Sequence, residues 1–468
     1  MWPSWFGLAF AGLCLGVGVA ALLAWPRLQE VSPVEGAQAV PATAPIRLSF
    51  RTAMNHASVE ASLTFEPSME GDTTWAGTTL TFTPRLAWPS DAEIAVRLAA
   101  GARSARGLPL LLAREWKFRT GPPRVLYLYP FDGPAELYLR TLDDSQATRL
   151  TQTPFGIQEA NVGRHGTGIT YLAKRADGGS DVHTLDLISG EDRLVYACEV
   201  QVLCRAPVLS PDGSRIALEQ ASLDPGVNGP TLGRSRVWVV PTLSGTPYAI
   251  GDAEHVTSLP VWAPDGRLAY HDATLGALVV LDPRDGAAAE PSAFLADDLG
   301  APAAWAPDSR SLVFPEIALL PETQIGAEEN GESALPVFYS HLLRGEVPSA
   351  VITDLSQPSA ELVEDASPAF SPDGRWLAFA RKHLELQAWT PGRQLWIMSP
   401  EGDQARALTD APMINHSALD WRADSQALLF MRFNTASPHD PPEIWWLELP
   451  GAEAHLLVVG GYLPQWIP

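Results

Sequence analysis

The sequence predicts an all-β fold: a β-propeller, seven-bladed or alternatively six-bladed, preceded by a β-sandwich and one N-terminal transmembrane helix. The first observation is a recurring phrase of apolar strand, Asp-centred turn and second apolar strand. It reads PVLSPDGSRIALE around Asp212, PVWAPDGRLAYHD around Asp265, AAWAPDSRSLVFP around Asp308 and PAFSPDGRWLAFA around Asp373. Degraded copies surround Asp424 and His165. Successive copies stand 47, 53, 43, 65 and 51 residues apart, the period of an array of four-stranded blades. The second observation is a series of short alternating strands over 31–121, separated by turn residues at sandwich spacing. The third is the run Trp5–Trp25, 21 residues without a charge.

In chain order, residues 1–28 form the expected anchor. A helix over Trp5–Trp25 is long enough to cross roughly 30 Å of hydrocarbon, and Trp2, Trp5 and Trp25 stand where an aromatic belt would lie. A cleaved signal peptide is the alternative, but no Lys or Arg precedes the apolar run. The sandwich occupies 29–122 and the propeller 123–468. The first propeller unit, from Arg124, lacks an innermost strand. YLPQWIP at 462–468 supplies one, so the ring closes on its own last strand and leaves no open sheet edge. Six internal copies and this closing strand give seven blades, or six if the copy at His165 is not a blade. Trp262, Trp305, Phe370, Trp421 and Trp466 recur at the equivalent innermost-strand position, where an aromatic fills the space between neighbouring sheets.

The wording of the segments also carries resemblance. SPVEGAQAVPATAPIRLSFRTAMN, WAGTTLTFTPRLAWPS, VRLAAGARSARGLPL and WKFRTGPP resemble the bacterial Ig-like domain of surface-layer and other cell-surface proteins. The SPDG-type repeats resemble the TolB-type (WD40-like) propeller, also present in the tricorn and dipeptidyl-peptidase families. The Ig-like resemblance implies a spacer or adhesive module; with the apolar run Trp5–Trp25 and the paired cysteines Cys198 and Cys204, the expected location is the bacterial cytoplasmic membrane, single-pass, with both domains extracytoplasmic.

Composition narrows the function. A net charge of −22 argues against nucleic acid, whose affinity rests on neutralising phosphates. Peptidases with this propeller continue into a hydrolase domain with a G-x-S-x-G elbow, and no such pentapeptide stands in the sequence. No His pair has metal-ligand spacing, so neither metal nor cofactor is expected. His271–Asp272 reads as a surface pair on a strand. The expectation is therefore a non-catalytic protein that binds a protein or peptide partner, with a cell-wall or environmental glycan as the alternative ligand and a hydrolase with an unrecognised site third.

The long insertions, at about 221–235, 316–335, 382–394 and 432–442, all join second to third strands, so all decorate one end of the propeller, where loops carry function. Among them Glu316, Glu322, Glu328, Glu329 and Glu332 form an acidic loop suited to a basic segment or a divalent cation. Asn161, Asp420 and Gln465 are polar residues expected at the central channel. Cys198 and Cys204 read as a loop-closing disulfide, with two buried thiols as the alternative.

Overall fold

The computed structural model describes residues 25–468 except 145, 165, 225–230, 320–337, 357–361, 386–387 and 452. The chain divides into two compact units, one ending at Pro122 and the other starting at Pro123.

In the first unit, alternating side chains give each strand one buried face. One sheet joins Leu28–Ser32, Ile46–Phe50, Thr79–Pro84 and Gly71–Ala76 in that order. A second joins Leu63–Glu66, Glu93–Leu98 and Arg114–Arg119. Ile46, Leu48 and Phe50 from one sheet meet Ile94, Val96, Trp116 and Phe118 from the other in a single core. A five-residue helix, His56–Glu60, is capped by Asn55, whose side chain accepts from Ser58 N at 3.0 Å. Trp25, expected in an aromatic belt, instead donates its indole N–H to Pro109 O at 3.0 Å, so it is tied to the sandwich. The rest of the expected anchor lies outside the described residues. Among the described residues no helix is long and apolar enough to cross a membrane. The single-pass, membrane-anchored reading is thereby corrected.

The second unit is an antiparallel propeller. Its sheets begin on the innermost strands Ile157–Val162, Val202–Leu209, Thr257–Trp262, Ala304–Trp305, Val363–Phe370 and Ile414–Trp421, and each continues outward in sequence order. The sheets that begin at Ala304 and Val363 are bridged by one parallel pairing, Ser340 with Glu364. The remaining sheet takes Tyr462–Ile467 as its inner strand against Arg124–Tyr129, pairing the two ends of the unit. The innermost strands touch in ring order, and Tyr462–Ile467 contacts both Ile414–Trp421 and Ile157–Val162.

The apolar cores lie between neighbouring sheets, because the middle strands, such as Leu268–Asp272 and Ala277–Leu281, are buried on both faces. Tyr171 packs with Ile467, Phe379 with Leu342, and Trp466 with Ile444 and Tyr127. The recurring tryptophans add directed hydrogen bonds to this packing. Trp262 donates to Val208 O, Trp305 to Val261 O and Trp421 to Ala369 O, each on the preceding innermost strand, at 3.0, 3.2 and 2.9 Å.

The Asp turns are structural. Asp212, Asp265, Asp308, Asp373 and Asp424 each accept from the backbone N–H two residues later, the Asx-turn pattern. Gly213, Gly266 and Gly374 supply the positive φ that follows. Where glycine is absent, Ser309 and Ser425 take φ of 61° and 63°. Their hydroxyls accept from Asp265 N and Asp373 N of the preceding turn, linking neighbouring turns.

Replacing Asp373 with Ala removes acceptors for Arg375 N and the Ser371 hydroxyl. The expected cost is about 1–2 kcal/mol. It would be read as a lower urea midpoint at unchanged slope; an unchanged midpoint would refute the capping role.

Candidate active site

Strand order places every second-to-third-strand connection and every loop between sheets at one end of the propeller. The candidate site is built there from three consecutive segments. Leu268–Asp272 is a second strand with all five residues buried. His271 and Asp272 are therefore not a surface pair: they are 2% and 1% exposed and, as neighbours on a strand, face opposite ways. His271 Nε2 lies 2.9 Å from Asp297 O, and since a carbonyl can only accept, Nε2 carries the hydrogen. Asp272 pairs with His255 Nδ1 at 2.7 Å and caps Thr274 N and Leu275 N.

Asp297 opens the loop after Pro291–Ala296. Its backbone N–H donates to Gly276 O, and its Oδ1 accepts from Gly300 N at 3.0 Å. Gly300 has φ +71°, and a Cβ there would stand 2.4 Å from His271 Nδ1, so the turn admits no side chain without moving the histidine. Glu316 comes from the next sheet. It belongs to the strand Ser311–Leu319, in register with His341, rather than to the acidic loop expected from composition. The hairpin extends because the β-favouring Ile317 and Tyr339 continue the ladder.

Across the gap between these sheets the Asp297 charge acts on Glu316, and Asp297 Oδ2 and Glu316 Oε2 are both buried without a hydrogen-bond partner. Burial first, then the charges of Asp297 and Asp298, push Glu316 up to about 7. Burial raises Asp297 as well, against the opposing effect of His271. Asp297 is 1% exposed, whereas Glu316 is only partly buried and is the member within reach of solvent.

On the other face of the Glu316 strand lies a cavity of about 180 Å³, between that strand and Val363–Phe370. Pro302, Pro315, Ile317, Phe338 and Tyr339 wall it. At its base stands Arg393, paired with Glu364, which also faces Lys382 at 3.7 Å. Beside them Arg381 grips Asp365 through two 2.7 Å hydrogen bonds. Exposed apolar side chains surround this end: Leu275, Leu299, Phe338, Trp389, Met413 and Phe433.

The other residues singled out from sequence do not join this site. Asn161, Asp420 and Gln465 tie innermost strands together. Asn161 accepts from Leu209 N, Gln465 accepts from Val162 N and donates to Ala160 O, and Asp420 accepts from Trp466 N. Four consecutive strands are thus stapled by three side chains. Cys198 and Cys204 form a disulfide with Cα atoms 6.5 Å apart, linking the end of one sheet to the start of the next. Glu322, Glu328, Glu329 and Glu332 lie outside the described residues. Sequence reasoning missed Asp297, Arg393 and Glu364. The one local signal was DDLG directly after an alternating strand, an Asp placed to cap its own turn.

Against known proteins, residues 24–120 match the bacterial Ig-like domain. The uncharacterized peptidase YuxL of Bacillus subtilis strain 168 is 26% identical over 214 residues, 41% of this chain. The chain spans 31% of that relative's length. Among solved structures, a Mycobacterium tuberculosis puromycin-hydrolyzing peptidase is similar at 14% identity and a TM-score of 0.49, over 91% of this chain and 57% of that one. TolB from Acinetobacter baumannii is similar at 11% identity and a TM-score of 0.44, over 95% and 99%. The expectation of a non-catalytic binding protein is contradicted by the match to the peptidase YuxL.

Asp420 generates a pH prediction. Burial raises it to about 7, against the opposing N–H groups of Trp466 and Trp421. A carboxyl whose folded pKa exceeds its unfolded value contributes stability at low pH that is lost as pH rises through about 7. Asp420→Asn keeps an acceptor for Trp466 N without the charge. It should therefore be more stable than the parent at pH 8.5, by about 1–3 kcal/mol, with the difference shrinking by pH 5. Thermal unfolding at the two pH values tests this, and a gain independent of pH would count against it.

Proposed function

We propose that this chain is a hydrolase of the peptidase class, with Glu316 as its general acid–base and the loop-bearing end of the propeller as its substrate face. The propeller is read as seven-bladed and of the TolB type. The carrying observation is Glu316, a half-buried carboxyl that burial and the charges of Asp297 and Asp298 push up to about 7, where acid–base catalysis is most efficient. The YuxL match supports the peptidase class, and the exposed apolar rim suits a peptide.

The step balances with water as the nucleophile. Ionised Glu316 takes a proton from water as its oxygen bonds to the peptide carbonyl carbon. The same proton then passes to the amide nitrogen as the C–N bond breaks. Asp297 is a positioning residue: its charge keeps Glu316 basic enough for the first half.

Peptide hydrolysis by the purified chain should fall about 10²–10⁴-fold in Glu316→Gln; full activity in that variant would overturn the assignment. The parent rate should decline as pH drops below about 7, because the base is then protonated. Asp297→Asn removes a negative neighbour, so this acid limb should move to lower pH by about one unit or more. A limb that stays in place would assign Asp297 a structural role only.

A further inference from the structure

The strongest unassigned feature is a cavity at the other end of the propeller, among the Asp turns. It lies between the sheets that begin at Ile157 and Val202 and has a volume of about 320 Å³. Strand register explains why it is there. On the innermost strands Trp262 stands opposite Leu268, Trp305 opposite Leu312, Phe370 opposite Leu377, Trp421 opposite Leu428 and Trp466 opposite Val125. In the sheet that begins at Val202 the same position, opposite Ile216, is Leu209. This gap therefore lacks the ring that those five gaps contain, and Leu209 borders the open volume.

The walls repeat the surroundings of an indole. Trp305 shares a core with Ala263 and Val280 of the preceding sheet, and Arg267 lies over its ring at 5.5 Å. Arg422 covers Trp466 in the same way at 5.9 Å. By register Gly163 stands where Ala263 does and Thr184 where Val280 does, and both line the cavity with Ile169 and Leu185. Leu209 rests on Gly163, where a Cβ would come within 2.8 Å of Leu209 Cδ2. Arg164 also lines the cavity, and among the described residues this exposed guanidinium has neither a hydrogen bond nor an ion pair. It is a cation with no ring to cover. Arg193 spans the two sheets, donating to Thr242 O at 2.8 Å.

The lining also sets the charge of a ligand. Asp186, Glu191 and Asp212 outnumber Arg164 and Arg193, which disfavours an anion. Asp186 and Asp212 cap their own turns, so Glu191 is the carboxylate suited to an ammonium group. A cavity of roughly 150 Å³ holds a benzene, so this one has room for a bicyclic ring with a short substituent.

We propose that this cavity binds a small planar aromatic molecule of the indole class, uncharged or cationic, with its ring in the place of the missing tryptophan and its face toward Arg164. The site lies at the end of the propeller opposite Glu316, and it stands whether or not the chain hydrolyses peptides.

Calorimetry of the full chain with indole, tryptamine and indole-3-acetate tests this. Indole and tryptamine should each show saturable one-site binding, and indole-3-acetate should bind at least about threefold more weakly than tryptamine. Leu209→Trp supplies the chain's own indole, so it should abolish binding while the urea midpoint holds or rises. Arg164→Ala removes an exposed, unpartnered side chain without touching the core, and it should weaken binding about two- to fivefold. The second variant decides the matter if the first does not fold. Absence of saturable binding by both indole and tryptamine overturns the proposal. So does binding that neither variant diminishes, or a preference for indole-3-acetate. Tighter binding of N-acetyl-Ala-Trp-Ala amide than of tryptamine would overturn the free molecule as ligand and make the occupant a peptide side chain.

Discussion

The propeller depends on the pairing of its last strand with its first. Tyr462–Ile467 completes the sheet of Arg124–Tyr129, with Trp466 opposite Val125 and Ile467 opposite Arg124. Without that strand the first sheet would end on an open inner edge, and the core of Trp466, Ile444 and Tyr127 would face water. The same strand carries Gln465, which bonds forward to Ala160 and Val162, and it receives Asp420 from behind. Strands whose paired residues Arg124 and Ile467 are 343 residues apart in sequence (467 − 124) are therefore held by backbone ladder, core and side chains together.

Around the rest of the ring the sheets are joined by polar side chains as much as by apolar ones. The innermost strands bulge at Ala206, Leu259, Ser367, Ala418 and Leu463, all with positive φ near 50°. At two of these bulges the freed N–H is taken by a carboxylate of the preceding sheet, Glu159 for Ala206 and Glu219 for Leu259. Such a conformation costs a residue with a Cβ about 1–2 kcal/mol, and a charged acceptor offsets that. Burial raises Glu159 in consequence, so the chain tolerates some electrostatic stress to keep its sheets in register.

This use of carboxylates sets Asp297 and Glu316 apart. Most buried acids of the loop-bearing end have a cationic or N–H partner: Asp365 has Arg381, Asp272 has His255, and Glu136 has Thr151, Thr153 and Arg149. Asp297 has the Gly300 N–H at one oxygen, but its Oδ2 and Glu316 Oε2 are buried with no hydrogen-bond partner. Two buried acids whose charges act on each other destabilise the fold when both are ionised, and the turn that holds Asp297 is fixed by Gly300 and His271. Burial raises both acids, and Glu316 is pushed up to about 7, which makes the pair a functional candidate.

The repeats were legible because propeller blades impose a local requirement: the Asp caps its own turn, and an aromatic three residues before it, as at Trp262, Trp305, Phe370 and Trp421, packs between sheets. Likewise the closing strand, the sandwich and the Cys198–Cys204 spacing are visible in the letters, since each follows from strand alternation or short chain separation. The site was not. Asp297 and Glu316 belong to different sheets and share no motif, and Glu316 read as loop because acidity masked the β-pairing of its neighbours. Asn161, Asp420 and Gln465 read as channel ligands because sequence identifies a polar residue on an inner strand but not its partner, a backbone group on the next sheet. Composition and local pattern fix which strands form; which side chains meet across the gaps between sheets is decided by the closure of the ring, which no local window contains.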